Sequence, residues 1–388
     1  MVSTFSSPLR IAVVGVGAQG RTLARRFRSG DIAGAALAAL VTSKSREAFP
    51  ELDVPTVRTM ADLVAADLAD AVVVCVPHYE HPALAIDAIR LGLPVLVDKP
   101  LAVYSLQVTR LEEVARAHPD VPFGLIANYR AHPMWAEVKR RVAAGRIGDM
   151  RRSSFLATHY WRPKRYFEQA PWRATWGGEG GGVLVNQTAH QLDLWTWLCG
   201  TPTSVFANVR FGFRRDIAVE DEVNALVSFP GGATGVFTAA THELDGGDRL
   251  ELLGDLGKVV ITDSDHADIV SYIKPEKDIS DEMSMELAAQ IFLQQVPLTS
   301  LYTTERLESS LSLEGMLDAV LANFAAHVLH GEPLLAPGLE GGNSVRLANA
   351  MRLSGWTGRE VPLDFDDAEY LDELNARIRA EGMYPERT

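Results

Sequence analysis

The segment Leu9–Gly20, LRIAVVGVGAQG, narrows the possible folds more than any other stretch of the chain. Its unbroken apolar run reads as a strand buried on both faces of a parallel sheet. The run passes directly into Gly15-Val-Gly17-Ala18-Gln19-Gly20, and a helical pattern follows to about Arg28. Strand, Gly-x-Gly-x-x-Gly turn and helix, in that order, are the context in which this spacing holds a dinucleotide. Gly15 permits the tight turn, Gly17 lets backbone approach a pyrophosphate, and Gly20 allows helix and strand to pack closely. The helix N-terminus then offers free N–H groups and the positive end of its dipole to phosphate.

The same rhythm continues. Ala36–Thr42, Val54–Val57, Ala71–Val76, Pro94–Val97 and Phe123–Ala127 read as further strands, with helices over Glu80–Leu91 and Ser105–Ala117. Short apolar strands separated by helices predict a doubly wound α/β domain of the Rossmann type, assigned to residues 1–127. After Asn128 the pattern changes. A helix at Met134–Ala144 and a strand at Met150–Thr158 precede a glycine cluster, Gly177–Gly182, and a helix over Val183–Leu198. Extended segments then follow at Ser204–Phe213, Glu222–Phe229, Thr234–Thr241, Arg249–Leu253 and Lys258–Thr262, separated by glycine-bearing turns. Such spacing predicts an open, mainly antiparallel sheet. Helices return at Leu307–His330 and Ser344–Ser354, and the acid-rich tail after Pro362 reads as a solvated amphipathic helix. Residues 128–388 are therefore expected to form an α+β domain.

Length and charge set the class. A chain of 388 residues suits two domains, and a net charge of −13 argues against nucleic-acid binding. Cys75 and Cys199 are the only cysteines, which points to a reducing compartment. No apolar run reaches membrane-spanning length, and Met1–Pro8 lacks the basic start and apolar core of a leader. The expectation is a cytoplasmic protein that binds neither membrane nor nucleic acid.

Three segments carry chemistry. Pro77-His78-Tyr79-Glu80-His81 follows a strand at the carboxyl edge of the sheet, where ligands of open α/β folds bind, so Pro77, His78 and His81 are cofactor candidates. Asp98-Lys99-Pro100 ends the next strand, and Pro100 biases Lys99 toward an extended backbone that projects it over the nicotinamide. Asn186, His190 and Asp193 follow Gly180–Gly182 at helical spacing and share one face of the predicted helix. Oxidising an alcohol needs a group that takes the hydroxyl proton as hydride leaves. Lys99 and His190 are the catalytic candidates, with Asp193 as an orienting or capping group. The second strand ends in Val41-Thr42-Ser43-Lys44-Ser45-Arg46, without an acid before Glu47. Ser43, Lys44 and Arg46 suit either the 2′-phosphate of NADP or an exposed loop at the adenine of NAD, so NAD(P) stays open. NAD is favoured if the cofactor is retained and recycled. His78, His81 and His190 lie on separate elements, and no metal is implied.

With GVGAQG, CVPHYEHP, DKPLA, NYRAHP, GGGVLVNQTAHQLDL and LELLGDLGKVVI in place, the chain resembles the Gfo/Idh/MocA oxidoreductases over nearly its whole length. The resemblance implies a Rossmann domain for NAD or NADP and a sugar or cyclitol docked against an open sheet domain. It makes Lys99 the family lysine, with Asp98 where Glu is usual, and His190 the family histidine. Asn186 stands where many members carry Asp; it cannot act as a base, so the proton falls to His190 with Lys99, and Asn186 joins these two at the catalytic and substrate-binding site by hydrogen-bonding and positioning the substrate. Asn128, Tyr129, Arg130 and His132 match the segment after the last Rossmann strand. Asn128 is thereby a cofactor candidate, and Tyr129 and Arg130 are substrate candidates. The resemblance makes residues 128–388 the domain for substrate binding and oligomerisation, with assembly into a homodimer or homotetramer through the open sheet, and implies that the 344–354 helix packs back toward the first domain.

The stretch Arg151–Arg173 holds six Lys/Arg, six aromatic residues and one acid, a basic island in an acidic chain. Aromatic faces and cationic heads together suit a carboxylated, phosphorylated or sulfonated glycoside, or its aglycone. His159, Tyr160, Arg162, Lys164, Arg165 and Trp172 are the substrate candidates it contributes; an exposed loop is the alternative. The leading expectation is an NAD(P)-dependent oxidoreductase acting on a secondary hydroxyl, at C3, of a sugar or glycoside. The alternative is an NAD-dependent glycosidase that oxidises C3 transiently, eliminates the aglycone, adds water and re-reduces; Tyr129, His159 and Tyr160 are then candidates for the base at C2. A non-catalytic sensor is the third.

Overall fold

The computed structural model describes residues 7–388, so Met1–Ser6 of the stretch weighed as a leader lie outside the described residues. Six parallel strands form the first sheet: β1 (Leu9–Val14), β2 (Ala35–Val41), β3 (Thr56–Val57), β4 (Ala71–Val74), β5 (Val95–Val97) and β6 (Phe123–Leu125). Their order is β3-β2-β1-β4-β5-β6, so the winding reverses between β1 and β4. Every residue of β4 is buried, which only apolar side chains tolerate on a sheet covered by helices on both faces. The helix Met60–Ala65, capped by Thr59 and Asp62, was not anticipated from the sequence.

The second sheet has nine strands: β7 (Met150–Ala157), β8 (Ser204–Phe211), β9 (Glu220–Ser228), β10 (Thr234–Ala240), β11 (Asp248–Gly254), β12 (Gly257–Thr262), β13 (His266–Tyr272), β14 (Tyr302–Glu308) and β15 (Val361–Pro362). The order is β14-β13-β12-β11-β7-β10-β9-β8-β15, antiparallel except for the parallel pair β7/β10. One face packs on helices through Phe155, Phe237 and Trp195, the last stacked on Phe237 at 5.5 Å. The other face is open. One cross-strand row on it, Phe206–Leu226–Val236, leaves large apolar side chains 48%, 59% and 40% exposed.

Three expectations need correction, and some elements were not expected at all. The helix predicted from Leu307 starts at Leu313, because Tyr302–Glu308 pairs with β13 as an edge strand. Neither β13 nor β14 was anticipated, nor were the helices Glu276–Glu282 and Met285–Phe292 between them. The single helix over Val183–Leu198 is two pieces: a π turn over Val183–Gln187 and an α-helix over Ala189–Cys199. Thr188 causes the break, since its N–H bonds Val183 O five residues back and its hydroxyl bonds the same oxygen. The tail helix Asp367–Glu381 is no solvated appendage; it buries Tyr370, Leu374 and Ile378 in the core of the second domain.

Two later helices tie the domains together. Leu313–His330 returns to the first sheet, where Leu317, Leu321 and Phe324 pack with Ile11, Val13 and Phe27. Gly341–Thr357 lies between the two sheets, with Val345 in the first core and Leu347, Met351 and Leu353 in the second. No described helix is long and apolar enough to cross a membrane.

Candidate active site

The glycine turn opens onto a groove of about 580 Å³ at the carboxyl edge of the first sheet. Gly15 has φ +86°, and a Cβ there would lie 2.4 Å from Cys75 O. A Cβ on Gly20 would lie 1.9 Å from Gly15 O, whereas one on Gly17 would meet nothing within 4 Å. The turn is thus closed behind and open in front, which is the shape that takes a pyrophosphate. The candidates Ala18, Gln19, Lys44, Pro77, His78, His81 and Lys99 line the same groove, together with Thr42, Asp98 and Trp172. Ser43 does not join them. Arg46 turns away to an exposed pair with Asp53, which leaves Lys44 as the basic side chain at that end. His81 is a brace as well as lining: only 1% exposed, it sets one ring nitrogen 2.7 Å from Pro100 O and the other 2.8 Å from Val76 O. These residues fit a dinucleotide.

A second cleft, of about 430 Å³, meets this groove at Gln19 and Lys99. It gathers Lys99, Asn186 and His190 from two domains, with Asn128, Tyr129, His159, Tyr160 and Arg162 around them. Asn128 Oδ1 is buried there without a protein partner. Lys99 Nζ donates to Asn186 O at 3.0 Å and to Asn186 Oδ1 at 3.3 Å. Burial lowers the Lys99 pKa; Asp98 and Glu179 pull it back up, and Arg173 and Arg162 push it down again. His190 lies beside the Tyr129 ring, 5.4 Å between centroids, and burial, then the Lys99 charge, push its pKa down to about 3. At neutral pH the imidazole is therefore uncharged and presents a lone pair.

On the opposite wall His159 Nδ1 lies 2.5 Å from Asp248 Oδ1. Gln191 donates to Asp248 Oδ2 at 2.8 Å and to the Tyr160 hydroxyl at 3.1 Å. Tyr160 and Tyr129 are hydrogen-bonded through their hydroxyls, and burial raises both phenols. Arg162 stacks over Tyr160 and Tyr166, 5.4 and 5.0 Å from their centroids, and forms no ion pair with the described residues.

Four predicted substrate residues lie elsewhere. Arg130 is 2% exposed and its guanidinium is held by Asp193, so it faces the interior and not the cleft. Lys164 and Arg165 are 78% and 92% exposed and pair with Glu168 along the helical turn Lys164–Phe167, so nothing holds them toward the cleft. Trp172 stands edge-on to His78, 6.4 Å between centroids, at the dinucleotide groove. His132 caps the helix Pro133–Ala143 by accepting from Met134 N–H.

Sequence reading missed Glu179, Tyr166, Asp248 and Gln191. Glu179 is 2% exposed; Asn186 Nδ2 donates to its Oε1 at 2.6 Å and Ala174 N–H to its Oε2 at 2.6 Å, with Arg173 3.3 Å away. Its only sequence signal was an acid embedded in the glycine run Gly177-Gly-Glu179-Gly-Gly-Gly182. Among the described residues no three His, Cys, Asp or Glu side chains come together as a metal site.

Comparison with known proteins gives the family. Residues 9–123 match a family described as an oxidoreductase family with an NAD-binding Rossmann fold, and residues 135–260 match the GFO/IDH/MocA C-terminal domain. Inositol 2-dehydrogenase 1 of Saccharopolyspora erythraea is 28% identical over 65% of this chain and 73% of its own length. Inositol 2-dehydrogenase of Corynebacterium glutamicum is 25% identical over 50% of this chain, and the match spans 56% of that protein. The crystal structure of the WlbA dehydrogenase from Bordetella pertussis, in complex with NADH and UDP-GlcNAcA, superposes with a TM-score of 0.71 at 21% identity. That match covers 92% of this chain and all of the other.

Proposed function

We propose that this chain, which belongs to the Gfo/Idh/MocA oxidoreductase family, oxidises a secondary hydroxyl, at C3, of a sugar or glycoside that carries an anionic group. The observation that carries this reading is that Lys99 lines both cavities, with His190 across the second. A bound nicotinamide dinucleotide supplies the hydride acceptor. The chain's own groups handle the proton and the oxygen. Lys99 directs its ammonium at the reacting oxygen and steadies the charge that develops there. His190, held uncharged, takes the hydroxyl proton. Asn186, already bonded to Lys99, fixes where the ammonium sits. Arg162, stacked on two tyrosines and free of a carboxylate partner among the described residues, favours an anionic substrate. The nucleotide-linked sugar acid bound in the WlbA complex has that character.

One observation favours a second reading. The cleft holds a second imidazole with its own carboxylate, His159 with Asp248. A simple oxidation needs one proton acceptor. With C3 oxidised, His159 can take the neighbouring C2 proton. The released electron pair then forms the C1–C2 double bond as the aglycone leaves C1 with its bonding pair. Water adds at C1, C2 regains a proton, and C3 is re-reduced.

A single experiment separates the two. Anionic and neutral aryl glycosides are incubated with the protein and NAD in deuterium oxide, and absorbance of NADH and release of the phenol are followed together. Net oxidation gives NADH without phenol; the second reading gives phenol without NADH and deuterium at C2. Neither product from any glycoside, with NAD bound, sinks both.

The open face of the second sheet supports self-association, since Phe206, Leu226 and Val236 would otherwise stay in water. Light scattering should return a dimer or tetramer; a monomer at micromolar concentration would remove this part of the proposal.

A further inference from the structure

We propose that Glu179 is the positioning carboxylate of the site: it locks the Asn186 carboxamide with Oδ1 toward Lys99, and lends Lys99 at one remove the negative charge that an aspartate at 186 would supply directly. The inference rests on the oxidoreductase reading and deepens it.

The geometry leaves the amide one orientation. Asn186 meets a cation on one side, where Lys99 Nζ donates to Oδ1 at 3.3 Å, and a carboxylate on the other, where Nδ2 donates to Glu179 Oε1 at 2.6 Å. A flipped amide would set NH2 against ammonium and oxygen against carboxylate, both repulsive. The Tyr166 hydroxyl strengthens the arrangement by accepting from Asn186 Nδ2 at 3.2 Å and from Arg173 at 2.7 Å. Glu179 itself is fixed by Ala174 N–H and Arg173, and its backbone oxygen reaches His78 Nδ1 at 3.1 Å. It is therefore a buried anion with both oxygens bound, and such a group has few uses other than to orient or to charge.

Asn186 is neutral and brings no charge to its contact with Lys99. Glu179 brings one, one hydrogen bond farther away. The groups that face Lys99 are Asp98, Glu179, Arg173, Arg162, His78 and His190; two carboxylates face two guanidiniums, and burial keeps the two imidazoles uncharged at neutral pH. Burial depresses the pKa of Lys99 and raises that of Glu179, and each partly offsets the other through their mutual attraction. Sign follows directly: deleting the Glu179 charge destabilises the ammonium and lets Lys99 lose its proton at lower pH.

The test is Glu179→Gln, with Lys99 titrated by pulse acetylation with acetic anhydride across pH and read on its peptide by mass spectrometry. The expected result is a Lys99 pKa lower by about one unit. The alkaline limb of kcat should move acidward by the same amount, while KM for NAD stays within about twofold. Glu179→Gln with Asn186→Asp, which moves the charge next to Lys99, should return both the labelling pKa and the limb. A merely structural Glu179 would give no such rescue. Should Glu179→Gln fail to fold, Glu179→Asp keeps the charge but withdraws it from Asn186, and a smaller shift in the same direction is expected. An unchanged Lys99 pKa in whichever variant folds overturns the proposal. The labelling needs no turnover, so a shifted pKa in a protein that oxidises nothing would overturn the reaction and leave Glu179 its role.

Discussion

Lys99→Ala is expected to lower kcat by about 10³-fold or more, the range for a positioned acid–base group, while the Kd for NAD moves by less than about threefold. The asymmetry follows from where the lysine sits. Its ammonium is bonded to Asn186 O and Oδ1, across the domain interface, whereas the pyrophosphate cradle is made by backbone around Gly15, Gly17 and Gly20. A loss of about 10³ in rate corresponds to about 4 kcal/mol of transition-state stabilisation. That is a reasonable yield for one charge aimed at an oxygen from a desolvated position. Arginine should not replace it, because a planar fork cannot occupy the place of a point charge between Asn186 and the substrate. NADH absorbance under single turnover and fluorescence titration of NAD measure the two quantities. A folded Lys99→Ala protein within tenfold of the parent kcat removes Lys99 from the chemistry.

The dinucleotide half of this site was legible because its signals are local. Gly15, Gly17 and Gly20 act within one turn, and the strand and helix that confirm them are their immediate neighbours. Lys99 and His190 were legible as types, since each follows a segment with a recognisable backbone role. Their meeting depends on two domains docking, so it was expected through the family resemblance and not from any local signal. The missed residues share a different property: each acts through a partner distant in sequence or displaced by a turn. Asp248 meets His159 only because β11 pairs with β7 in one register. Glu179 meets Asn186 only because the chain makes a π turn where helical periodicity had promised regular α-helix. The strands β13 and β14 were missed for a related reason. β14 is exposed almost throughout, so no apolar alternation announces it, and its pairing with β13 supplies what its side chains do not.

The same docking gives the largest effect on stability. Arg130, on the turn that leaves the first sheet, donates to Asp193 from Nε at 2.9 Å and from NH2 at 2.8 Å, and also holds Glu340. Asp193 lies three residues beyond His190 on the same helix, so this pair sets how that helix seats against the first domain. Both side chains are nearly inaccessible, 2% and 6% exposed, and such a pair contributes little over two apolar groups of equal size but is costly to break from one side. Arg130→Met should therefore cost about 3–5 kcal/mol, because Asp193 is left as a buried charge without its cation. The Glu340 contact adds little, since that carboxylate is 45% exposed and water screens it. Arg130→Met with Asp193→Leu removes both charges and should regain most of the loss, yet kcat should stay low, because nothing then fixes the rotation of the helix that carries His190. Urea denaturation followed by tryptophan fluorescence reads the stabilities. If Arg130→Met unfolds within about 1 kcal/mol of the parent, the Arg130–Asp193 pair does not hold the two domains in register, and the placement of His190 must come from the packing of Leu192, Leu194 and Trp195 alone.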